Sequence, residues 1–124
     1  MRFLPTRIHG VIDYLWGLAL LASPWVFGFS DVPAATWLAV IFGLGAIVYS
    51  ALTAYELGAL KLFPMPFHLL LDGLGGAFLA VSPFLFGFSD RVYLPHLLFG
   101  LFSVMASLIT RTEPPLPVER PRVA

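Results

Sequence analysis

Apolar residues gather in four stretches, Ile8 to Phe29, Ala34 to Tyr55, Phe67 to Phe88 and Val92 to Thr110, with shorter polar segments between them. Each approaches or exceeds the ~20 residues that an α-helix needs to cross ~30 Å of hydrocarbon at ~1.5 Å per residue. The pattern predicts an all-α membrane protein with four transmembrane helices. The second stretch contains no Asp, Glu, Lys, Arg or His; the first carries His9 and Asp13, the third His68 and Asp72, and the fourth His96. A cleaved signal peptide is a poor reading of the start. Asp13 would fall inside its apolar region, and the same stretch recurs later in the chain.

That recurrence organises the molecule. The block Ile8 to Asp31 returns 59 residues later as Phe67 to Asp90, identical at half of its positions. Ser23-Pro24-Trp25-Val26-Phe27-Gly28-Phe29-Ser30-Asp31 stands against Ser82-Pro83-Phe84-Leu85-Phe86-Gly87-Phe88-Ser89-Asp90. After a two-residue deletion, Phe42, Gly43, Leu44, Ser50, Thr53 and Glu56 pair with Phe99, Gly100, Leu101, Ser107, Thr110 and Glu113. The pattern reads as an internal duplication, with repeats at about 8–56 and 67–113 in a domain of residues 1–113. Two spans per repeat is an even number, so both copies are expected to enter the membrane from the same side, as two parallel hairpins.

Charge then orients the bundle. Arg2, Arg7, Lys61, Arg111, Arg120 and Arg122 lie at the termini and in the middle loop, while the two Ser-Pro loops share only Arg91. The positive-inside rule puts the N- and C-termini in the cytoplasm, and Trp25, Trp37, Phe84 and Tyr93 then fall at the outer interface. The Pro-rich tail, 114–124, is expected to lack fixed structure.

Composition removes several function classes. The chain is 59% hydrophobic and 11% charged over 124 residues, against about 25% charged in soluble domains. So few polar groups cannot cover so small a globule in water. Seven basic residues balance seven acidic ones, which leaves no field to hold a nucleic acid. Without cysteine there is no disulfide, thiolate metal site or thiol nucleophile. No nucleophile triad or nucleotide loop is visible, and Gly73 with Gly75-Gly76 lies inside an apolar span with no strand before it.

The Ser23-Pro24-Trp25 and Ser82-Pro83-Phe84 motifs, with Gly28 and Gly87 and the upstream His and Asp, resemble the SPW-repeat family of small prokaryotic membrane proteins. The resemblance runs from about Arg7 to Glu113, and the second copy departs at its aromatic. It implies a bacterial or archaeal cell-membrane location, with no established biochemical activity. From the residues alone, each Ser-Pro should end or kink its helix, and Ser or Asp of the Phe-Gly-Phe-Ser-Asp block should cap the next, helped by Pro33.

The chemistry lies elsewhere. His9, Asp13 and Gly17 share one helical face, and His68, Asp72 and Gly76 repeat it. Antiparallel helices bring Thr53, Glu56, Thr110 and Glu113 to nearly the same depth, giving a polar cluster of His9, Asp13, Glu56, His68, Asp72 and Glu113. The plainest role is structural, each His donating to its Asp one turn away, in an accessory or partner-binding membrane protein. Alternatively His9, Asp13, His68 and Asp72 hold a divalent metal, the two His ligate a haem axially, or the ring relays protons or cations. His96 reads as an interfacial hydrogen-bonding residue. Small-residue stripes through Gly43, Ala46, Gly73, Gly76, Gly100 and Ser103 suit close helix packing. The expected partners are the lipid bilayer and either a second copy or another membrane protein.

Overall fold

The computed structural model describes residues 1–116; part of the predicted tail, 117–124, lies outside the described residues. Among the described residues four helices form: α1 (Thr6–Val26), α2 (Pro33–Ala51), α3 (Met65–Leu85) and α4 (Leu94–Ile109). α1 packs mainly on α2 and α3 on α4, with lighter contacts of α2 on α3 and α1 on α4 closing the ring. α2 and α3 are long and apolar enough to cross a membrane. α1 has the length but is interrupted by Arg7, His9 and Asp13. α4 is shorter than the predicted Val92 to Thr110, because Tyr93 and Thr110 flank it with non-helical backbone.

Each hairpin closes at a pair of glycines. A Cβ on Gly43 would come within 2.8 Å of the Gly17 carbonyl and 2.7 Å of the Leu21 amide. A Cβ on Gly76 would stand 2.7 Å from the Gly100 carbonyl. Only backbones without side chains can approach so closely.

The Ser-Pro motif works differently from a simple helix stop. Pro24 and Pro83 lie inside the last turns of α1 and α3, where their missing N–H leaves the carbonyls of Leu20 and Leu79 without a helical donor. The preceding serines replace it: Ser23 Oγ donates to Leu20 O at 2.6 Å and Ser82 Oγ to Leu79 O at 2.7 Å. The helices therefore run on to Val26 and Leu85. They end in a left-handed glycine, Gly28 (φ 72°) and Gly87 (φ 73°), with Phe29 N–H bonded to Pro24 O and Phe88 N–H to Pro83 O, the bond that closes a Schellman turn.

That turn overrides the predicted caps. Val32 and Tyr93, not Ser or Asp, occupy the N-cap positions of α2 and α4, with no side-chain cap and a proline in the first turn. Asp31 instead pairs with Arg91 at 2.6 Å in the open.

The molecule is polar inside and apolar outside. His9, Asp13, His68, Asp72, His96 and several Ser and Thr are at most 9% exposed, while Leu15, Trp25, Trp37, Ile41 and Leu74 are each more than half exposed. Beyond the polar centre, Leu20, Leu79, Ala35, Ala39, Phe29 and Phe88 form a buried apolar cluster. His96 belongs there. It is fully buried rather than interfacial, bonded through Nε2 to Ala35 O at 2.9 Å, because its ring fills the space between Phe29 and Phe88.

Candidate metal centre

One helical turn separates His9 from Asp13 on α1 and His68 from Asp72 on α3, so each pair projects from a single face. Both faces turn inward and meet. His9 Nε2 lies 3.0 Å from Asp13 Oδ1 and 2.9 Å from Asp72 Oδ2; His68 Nε2 lies 3.0 Å from Asp13 Oδ2 and 3.2 Å from Asp72 Oδ2. One ligand atom from each of the four residues falls within 4.8 Å of all the others. Each imidazole thus faces both carboxylates, not only the one on its own helix.

Two threonines set the imidazole tautomers. Thr53 Oγ1 donates to Tyr49 O and Thr110 Oγ1 to Ala106 O, both at 2.6 Å. A hydroxyl has one proton, so each oxygen is left to accept, and His68 Nδ1 and His9 Nδ1 stand 2.7 Å away. Both rings therefore carry a proton on Nδ1, and both Nε2 atoms turn to the centre. The threonines are held in turn by lead-in strands of chain. Leu4 forms an isolated parallel bridge with Thr110, and Phe63 one with Thr53.

Each carboxylate also has a tyrosine. Tyr55 donates to Asp13 Oδ2 at 3.0 Å, and Tyr49 makes a short bond to Asp72 Oδ1. Ser103 Oγ donates to the Asp72 carbonyl at 2.9 Å. Within the cluster, among the described residues, His68 Nε2 is fully buried and meets no partner with hydrogen-bond geometry despite the two carboxylates beside it.

The cluster is narrower than the sequence reading. Glu56 and Glu113 are exposed. Glu56 accepts from Thr6 at the start of α1, at 2.8 and 2.9 Å, because the chain turns after Ala51 and carries it off the helix face. Tyr49 and Tyr55 were missed, although Tyr49 precedes Thr53 by one helical turn and so shares its face. A haem has no room, since the carboxylates it would displace bridge the two imidazoles. Past the centre lies the apolar Leu20 and Leu79 cluster, with His96, Ser23 and Ser82 as buried polar side chains beside it. The motif residues Trp25, Phe84, Gly28 and Gly87 all lie at the far ends of α1 and α3, exposed and away from this centre.

No curated protein and no solved structure matches this chain. The SPW repeat domain matches residues 7–110, which include both His-Asp pairs and both Ser-Pro motifs. By that match, the chain belongs to the SPW repeat family.

Proposed function

We propose that this is an integral membrane protein of four spans that holds a divalent metal ion between its two hairpins. The membrane reading is supported by the inside-out distribution of polarity, with large apolar side chains standing out from all four helices. Lipid is the partner that covers them. The basic residues favour cytoplasmic termini and outer Ser-Pro loops. Cysteines placed near Asp31 and Asp90 should label from outside and one at Lys61 from the cytoplasm; the reverse would overturn that orientation.

The convergence of two Nε2 atoms and two carboxylates carries the metal reading. Nδ1 protons held by Thr53 and Thr110 leave Nε2 free to ligate, an arrangement that fixes metal-bound histidines elsewhere. Two carboxylates also neutralise one dication in a site buried from bulk solvent. Around an ion with bonds of ~2.0–2.1 Å, tetrahedral ligand atoms stand about 3.3 Å apart. The nitrogen–oxygen separations of 2.9–3.2 Å fall a few tenths of an ångström short of that, while the widest pair of the four ligand atoms, up to 4.8 Å apart, must draw in. Imidazole with carboxylate suits zinc, manganese or ferrous iron. Protein purified in detergent should carry about one such ion per chain by elemental analysis, absent from Asp13→Asn with Asp72→Asn. Folded protein that neither contains nor takes up a divalent ion would overturn the reading, leaving the cluster as a staple between hairpins.

A further inference from the structure

We infer that the ion in this centre has one open face, toward Ala106 on α4, where it accepts a water or a small anion as a non-protein ligand. This rests on the metal reading above. The two halves match closely in their His, Asp and Thr, and differ in what flanks them. Tyr49 and Tyr55 lean their rings on His68, with centroids at 4.8 and 5.5 Å. The positions that correspond to them beside His9 are Ala106 and Thr112. Among the described residues, the ring that His9 packs against is that of His68, at 5.4 Å.

A small space lies beside Ala106. A cavity of about 10 Å³ touches His9, Asp13, Asp72, Tyr49, Ser103 and Ala106. It is the size of a single water, and its carboxylates, imidazole and phenol offer the several polar partners that a buried water requires. Ile12, Trp16 and Phe102 line this cavity and also the apolar groove of about 410 Å³ between α1 and α4. A ligand slightly longer than water therefore has somewhere to extend. A water or anion added to the four protein ligands makes the ion five-coordinate, as catalytic zinc sites become when they expand, whereas a closed structural site stops at four protein ligands.

Cobalt(II) as the ion and azide as the probe test this in the purified protein in detergent. Azide should change the visible cobalt spectrum saturably in the wild type. Ala106→Tyr, which installs the residue of the first repeat, and the milder Ala106→Val should lose that response while still binding one cobalt per chain and eluting as the wild type does. If Ala106→Tyr fails to fold, Ala106→Val decides. A cobalt-loaded wild type indifferent to azide, or a folded variant that responds as the wild type does, would overturn the open face and leave the metal site standing. Failure to bind cobalt at all would overturn both.

Discussion

His68 on α3 lies closer to Asp13 of the other hairpin, at 3.0 Å, than to Asp72 on its own helix, at 3.2 Å. His9 shows the same preference, 2.9 Å to Asp72 and 3.0 Å to Asp13. The polar centre thus bridges the two halves of the chain. Removing one member leaves an uncompensated buried charge, which costs about 3–5 kcal/mol. Asp72→Asn should lower the unfolding free energy in detergent by about that amount and abolish stoichiometric metal. Asp31→Asn, which breaks an ion pair with both side chains more than half exposed, should change it by less than ~1 kcal/mol. Similar losses for the two variants in denaturant titrations would contradict this assignment.

The threonines should matter through the imidazoles. Thr53→Val and Thr110→Val keep the side-chain shape but leave a buried Nδ1–H without an acceptor, a loss of about 1–3 kcal/mol. Each should also weaken metal binding by about 10–100-fold, the usual effect of removing an outer partner of a ligating histidine. Thr53→Ser and Thr110→Ser keep the hydroxyl and should retain most of both. Competition with a chromophoric chelator reads the affinities, and a serine variant as weak as its valine counterpart would rule out the proposed role of the hydroxyl.

Much of this centre was legible in the sequence, because helical spacing alone puts His9 with Asp13 and His68 with Asp72. The repeat then brings both pairs to one depth. Glu56 and Glu113 fall outside the centre for a simple reason: ideal helices would carry both to the same depth, but α2 ends at Ala51 and α4 at Ile109, so both glutamates leave on turns. The tyrosines have no counterparts in the second repeat, where Ala106 and Thr112 stand, so the symmetry that marks the histidines does not mark them. The Ser-Pro motif was readable as a disturbance of the helix. That the serine repairs the disturbance, letting each helix continue to a glycine turn, depends on a side-chain rotamer that spacing does not encode.

Glycines on α2 and α4 give a sharper test of the packing. Gly43→Ala and Gly100→Ala would each push a methyl group into opposing backbone, which cannot yield as a side chain does. A loss of about 1–3 kcal/mol or more is expected. Gly45, two residues from Gly43, has nothing within 4 Å of its would-be Cβ, so Gly45→Ala should gain up to about 1 kcal/mol from helix propensity. Thermal unfolding in detergent measures all three, and a destabilised Gly45→Ala would mean that this face of α2 is occupied by something other than lipid.

Ser23 and Pro24 should be coupled, since the serine supplies the donor that the proline lacks. Ser23→Ala alone leaves the buried Leu20 carbonyl unpaired and should cost about 1–3 kcal/mol. Pro24→Ala restores a backbone N–H one turn below that same carbonyl, so in its background Ser23→Ala should cost less than about 0.5 kcal/mol. A double-mutant cycle measures the difference. The equivalent cycle at Ser82 and Pro83 should give a coupling of similar size, because the bonds to Leu20 and Leu79 differ by only 0.1 Å (2.6 against 2.7 Å). If the serine costs the same with and without the proline, its hydroxyl is not substituting for the missing amide, and the continuation of α1 to Val26 needs another cause.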